Sequence, residues 1–506
     1  MAISSAIDID RVSRVLGYQL TTGNFQNITP NLPQRIAILG EANTANQATL
    51  SLTPTEITSA KQAGDLYGYG SPLYNIVRIL RPANSNGVGG IPVIAYPQVE
   101  DVAGVKSVRT ITVTGTATAN GVHTVIINGR RGIDGGRYDF SVVTGDTPTI
   151  ISGKIEDAIN AVLGSPVTAT SNIADAILTS KWKGLTADDI NVEVDTNNIS
   201  VGVTYAVVNT TAGAGTSDIT TALDLFGSNW NTIVINSYGV SKLDDLSDFN
   251  GAPSSTNPTG RYQGIMMKPF IALFGNTDDD VSAIGTITDA RKDDVTNAIC
   301  VAPNSKGLPM EAAANMAFLF ATVMNNNPHL DVNALFYPDM PVPISGNIGD
   351  MATYNERDVL VKKGASTVDF VNNKYQVQDF VTCYHPDGEV PPQFRYCRNL
   401  MIDFNIKFGY RLLEEINVVD HAIANNDDIV DVDKVIKPKQ WKQIVDAYAS
   451  ELGRRALIAD VPFMQDSIQV GLSATNPDRL ETFFKYKRTG IARIGSTTVE
   501  AGFNFG

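Results

Sequence analysis

The sequence predicts a multidomain chain of mixed α/β and α+β class. An α/β core is interrupted by an inserted β-rich domain and followed by a C-terminal α+β domain, with extended arms at both ends. Three observations predict it. Residues 34–96 read strand, helix, helix, strand, the signature of an α/β layer. Near Asp101 the pattern changes to short segments alternating apolar residues with threonine, and helix–strand alternation resumes after about residue 213. Two long amphipathic helical patterns then fill the region after residue 395. At 506 residues the chain is also longer than one hydrophobic core organises.

Residues 1–32 read as an extended arm, in which Ile7 and Ile9 alternate with Asp8 and Asp10. Residues 33–101 form the first part of the core. Gln34–Gly40 is a buried strand, and Pro54–Gly64 reads as a helix. Ser71-Pro72 opens another helix, Ser71 as cap and Pro72 in the first turn. Leu73, Ile76, Val77 and Leu80 give that helix one apolar face. Ile91–Tyr96 is the next strand.

Residues 102–212 are the inserted domain. Its strands are expected at Val108–Thr114, His123–Ile127, Tyr138–Val143, Val167–Thr170, Ile190–Val194 and Ile199–Val208. Asn128-Gly129 is a hairpin-turn signal, and a helix is expected over Lys154–Leu163. Residues 213–366 resume the core, with a helix over Ile219–Leu225 and strands at Trp230–Asn236, Pro269–Gly275 and Ala298–Ala302. Leu308–Asn325 is apolar nearly all round and therefore buried. Residues 367–490 form the C-terminal domain: a strand over Lys374–Thr382, long helices over Arg395–Ile416 and Pro438–Leu457, and a strand over Glu481–Arg488. Residues 491–506 are a C-terminal arm whose strand covers Thr498–Phe505.

Composition narrows the function classes. A net charge of -14 argues against coating nucleic acid, which needs a basic footprint. Three cysteines, Cys300, Cys383 and Cys397, imply no disulfide framework and folding in a reducing compartment. The first residues lack a basic and an apolar signal region, and Met310–Met324 is too short and too polar to span a bilayer.

No motif predicts catalysis, a metal or a cofactor. The four histidines, His123, His329, His385 and His421, are scattered and match no zinc spacing. Cys383, His385 and Cys397 are close in sequence but read as half-buried thiols and a loop histidine. Gly68-Tyr-Gly70 lacks the third glycine of a dinucleotide loop and reads as a turn between helices. The acidic run Asn425–Asp433 lacks the turn glycine and distal glutamate of a calcium loop and reads as a solvated linker. Glu414 and Glu415 are adjacent on a helix and read as surface charge.

The sharpest signal lies near the C-terminus. Val499, Ala501, Phe503 and Phe505 alternate with Thr498, Glu500, Gly502 and Asn504, the pattern of a half-buried strand that must pair with a sheet. Pattern alone leaves open whether the partner sheet belongs to the same subunit or to a neighbour.

The sequence also resembles contractile-tail sheath proteins of phages like Mu. The stretches that carry the resemblance are Pro33–Gly40, Ile57–Leu73, Thr112–Thr118, Trp182–Gly184 with Asp189-Ile190, Ala212–Gly215, Tyr354–Asp358, Leu400–Phe408 and Pro438-Lys439, in the family's order. The resemblance implies a non-enzymatic subunit of a helical homopolymer of stacked hexameric rings. The polymer surrounds an inner tail tube, adjoins baseplate and tail terminator proteins, and contracts to drive the tube through a host envelope. It implies a virion tail component assembled in the host cytoplasm, with no cofactor, nucleic-acid contact or direct membrane binding. A phage-derived bacteriocin or other contractile injection system is the alternative within the class; an α/β enzyme lies outside it. Strand exchange between subunits is then expected at Ile7, Ile9, Val499, Ala501, Phe503 and Phe505, pairing near Phe484 and Tyr486 of a neighbour. Lys439, Lys442, Arg454 and Arg455 are expected to face the inner tube.

Overall fold

The computed structural model describes residues 30–132, 136–390 and 392–503. Six strands form the core sheet, in the order Asn297–Val301, Ile271–Asn276, Ile233–Asn236, Ile36–Glu41, Val93–Gln98, Thr55–Glu56. All neighbours run parallel except the last pair. The chain order reverses between Ile36–Glu41 and Ile233–Asn236, so this sheet is wound in both directions from its centre. Its strands are apolar on both faces because helices cover both. Ile36, Ile38, Ile233 and Ile235 pack on one side with helices Pro72–Leu80 and Pro309–Asn326. Ala37, Leu39 and Val234 pack on the other with Leu223, Phe226 and Leu246.

Ser71 caps its helix as predicted, accepting from the Tyr74 N–H at 3.1 Å. The helix expected over Pro54–Gly64 instead runs Ala60–Tyr67, capped by Ser59, and Thr55–Glu56 joins the sheet edge. Register explains this: Thr55 and Glu56 can pair with Ala95 and Ile94 only if extended.

Between Val93–Gln98 and Ile233–Asn236, the third and fourth core strands in chain order, the chain leaves for the inserted domain. A four-stranded antiparallel sheet (Thr204–Thr211, Lys106–Thr114, Asp175–Lys183, Val167–Asn172) and a three-stranded one (Arg137–Val142, Gly121–Ile127, Val192–Asp195) enclose helix Pro148–Asn160. That helix starts at Pro148, six residues earlier than the expected Lys154, since proline suits a first helical turn. Asp175–Lys183 is a strand the sequence reading lacks.

Helix Cys397–Asn417 joins two cores. Cys397, Leu400, Met401 and Phe404 belong to the core of the α/β layer. Ile402 and Ile406 belong to a second core with Tyr448, Leu452 and Met464. The spacing puts the two sets on different faces of one helix. Hairpin Thr367–Val371 and Lys374–Asp379 also packs on the first core, through Val368, Tyr375 and Val377.

Candidate assembly surfaces

The expected strand over Glu481–Arg488 is broken into Leu480–Phe483 and Lys487–Arg488. The first pairs only with Gln469–Leu472 among the described residues, giving a two-stranded sheet with its outer edges unpaired. Phe483 is 52% exposed on it. Phe484 and Tyr486 point inward instead, Phe484 with its ring 5.2 Å from that of Tyr410. The Tyr486 hydroxyl donates to Asp403 at 2.9 Å.

Beyond Tyr486 the chain is fastened three times. Arg488 donates to both Asp403 oxygens, at 2.7 and 2.6 Å. Arg398 donates to the Thr489 carbonyl at 2.7 Å. Arg493 pairs with Asp331 and with Asp379, and lies 3.9 Å from the Tyr396 ring centroid. After Arg493 the character changes. Ile494 is 88% exposed, Val499 80% and Phe503 89%, and residues 489–503 past the short strand form no regular structure in the single subunit. Ala501 is exposed with them. Phe505, Ile7 and Ile9 lie outside the described residues.

The other end of the described chain is rooted close by. The Leu32 N–H donates to Asn405 at 2.9 Å. Asn31 donates to the Asn325 carbonyl at 3.0 Å and accepts from Arg455. Both roots therefore bear on helix Cys397–Asn417, at Arg398, Asp403 and Asn405. These anchors are polar side chains far apart in sequence, which is why apolar periodicity did not reveal them.

Helix Pro438–Arg454 buries Trp441, Val445, Tyr448 and Leu452. Lys439, Lys442 and Arg454 stand exposed on its other side, while Arg455 turns inward to Glu451 at 3.3 Å and to Asn31.

Cys300, Cys383 and Cys397 are buried, and burial pushes their thiols well above the usual range. His385 sits 2.6 Å from the Cys383 carbonyl and 3.1 Å from Asp289. Among the described residues no group of three or more potential ligands could hold a metal. No described helix is long and apolar enough to cross a membrane.

No family model matches the chain. The Mu-like prophage FluMu tail sheath protein of Haemophilus influenzae is 22% identical over 507 residues, covering 98% of this chain and 99% of that protein. Two solved structures show a fainter likeness. The sheath tail protein of Desulfitobacterium hafniense is 11% identical, covering 94% of this chain and 100% of that one, with a TM-score of 0.44. A chain of the anti-feeding prophage baseplate is 10% identical, covering 97% and 100%, with a TM-score of 0.45.

Proposed function

We propose that this chain, a homologue of a Mu-like prophage tail sheath protein over 98% of its length and a structural protein rather than an enzyme, polymerises as stacked hexameric rings around an inner tail tube. Contraction of that polymer, triggered at a baseplate, drives the tube through the host envelope. The polymer ends at a tail terminator and is assembled in the host cytoplasm. The observation that carries the reading is the segment beyond Arg493, which keeps a strand pattern yet stands exposed, in a subunit that also carries a two-stranded sheet with edges unpaired among the described residues.

An extended segment adding to such an edge supplies main-chain hydrogen bonds, and its alternate side chains supply specificity. The segment of one subunit therefore pairs with the sheet around Phe483 of the next, and the arm before Pro30 is exchanged in the same way. Lys439, Lys442 and Arg454 face the tube.

Deleting Val499–Gly506 tests this. Negative-stain microscopy should show no tubes, while circular dichroism shows a folded subunit. Tubes of unchanged length and number from the truncated protein would end the proposal.

A further inference from the structure

A groove opens where the carboxyl half of helix Cys397–Asn417 meets the amino ends of the core strands. Its walls are apolar at Trp230, Phe408 and Leu412 and basic at Arg35, Lys268 and Lys407, with Arg411 paired to Glu415 at 3.1 Å along one side. None of these three cations has a carboxylate partner within ion-pair distance among the described residues. Lys407 lies 4.6 Å over the Trp230 ring, and Lys268 donates to the Ser228 carbonyl at 2.6 Å. The Arg35 Nε is buried with no partner. Burial lowers the Lys407 ammonium's affinity for its proton, Lys268 and Arg411 lower it further, and Glu415 and Glu414 oppose them. In a chain of net charge -14 this is a concentration of positive charge beside apolar surface, with Glu415 the one carboxylate on its wall.

The complementary surface is on the same chain. Residues 424–434 form a projecting loop whose neck is closed by the pairing of Ala422 with Val435 and Ile423 with Ile436. Ile429 is 93% exposed and Val432 71%. Asp427, Asp428, Asp431 and Asp433 are exposed around them and form no ion pair among the described residues. Two exposed apolar side chains set among four carboxylates is the inverse of the groove.

We infer that the loop of one copy seats in the groove of a second copy, Ile429 and Val432 against Trp230 and Leu412, with its carboxylates answering Arg35, Lys268 and Lys407. The contact joins two different patches, so it is heterologous and propagates into rings or helices. This rests on the sheath reading for its place in the polymer, but not for its existence. Its charge pairs lie at the rim and weaken with salt.

Two single variants test it, Val432→Cys and Leu412→Cys, the native cysteines being buried. The variants are mixed and oxidised, both in tubes and as concentrated soluble protein. A disulfide-linked dimer formed only in the mixture is the expected result. Dimer in solution without tubes keeps the contact and removes the sheath reading; tubes without dimer remove the contact. Intrachain closure of the Val432→Cys/Leu412→Cys double variant, or a cross-link from Ile9→Cys in place of Val432→Cys, also overturns it. As a second arm, Lys268→Glu with Lys407→Glu raises the concentration needed for association about tenfold. Adding Asp431→Lys with Asp433→Lys on the partner copy restores it. No rise, or a rise without restoration, overturns the inference.

Discussion

Glu41 closes the strand Ile36–Glu41 at the point where the core sheet reverses its winding order. In many sheets of this kind a ligand enters there. Here a short helix of the inserted domain, Leu185–Asp188, and the segment by which the chain returns to the core fill it: Ser217 donates to the Glu41 carboxylate at 2.5 Å and Thr186 at 3.4 Å. Burial, with Glu100 and Asp101 nearby, raises the Glu41 pKa from 4.5 to about 7. Burial beside Asp188 also raises Asp189 to about 7. The native state thus holds more protons than the unfolded chain between pH 4.5 and 7. Stability from these groups is complete below about pH 4.5 and is lost as the pH rises through 7. Glu41→Gln should therefore flatten part of the decline in melting temperature between pH 5 and 8, leaving the share due to Asp189. Parallel melting curves for the two proteins contradict this. The sequence could not show Glu41 in this role, because Thr186 and Ser217 lie 145 and 176 residues away. The contact of His385 with Asp289, 96 residues away, was equally invisible along the chain.

Elements were legible where one side of the pattern was strongly apolar. Pro72–Leu80 and Pro309–Asn326 fall where the periodicity places them. Asp175–Lys183 was missed although it alternates, because its inward residues include Ser180 as well as Ala176, Leu178 and Trp182. Ser180 is satisfied by donating to the Trp182 carbonyl at 2.6 Å, a bond no periodicity announces. Contact between elements also separates two glycines that look alike in sequence. A Cβ on Gly275, in strand Ile271–Asn276, would lie 1.6 Å from the Pro309 carbonyl oxygen. Strand and helix start cannot both keep their places, so Gly275→Ala should cost about 3 kcal/mol in urea unfolding. On helix Val281–Asp289, a Cβ at Gly285 would meet the flexible Lys363 side chain at 3.1 Å and Leu360 at an ordinary 3.9 Å. Gly285→Ala should be neutral or gain up to about 1 kcal/mol from helix propensity. Equal losses at both positions would refute the argument.

At the scale of the molecule, the inserted domain is held to the core by charge as well as by its two linkers. Arg130, just after the Asn128-Gly129 turn, lies 2.9 Å from Glu311 and 2.9 Å from Asp339, and Arg78 reaches the same Glu311 oxygen at 2.8 Å. Such a pairing of residues 181 and 209 positions apart was beyond a reading along the chain. The arms, by contrast, were visible as alternation at Val499–Phe503, while their destination was not, since a strand pattern does not name its partner. The proposed tube-facing side yields its own expectation. Lys439→Glu with Lys442→Glu should reduce assembly on inner tubes severalfold at low salt, with less difference at high salt. Unchanged templated assembly at low salt removes those residues from the interface. Helix Cys397–Asn417 carries a mechanical consequence for a polymer linked through both arms. In that polymer part of the tension crosses the subunit between Asp403 and Asn405, through less than one helical turn. The remaining anchors, Arg493 on Asp331 and Asp379 and Asn31 on the Asn325 carbonyl, pass load to the α/β layer; the inserted domain supplies none of these anchors and can reorient without bearing the load.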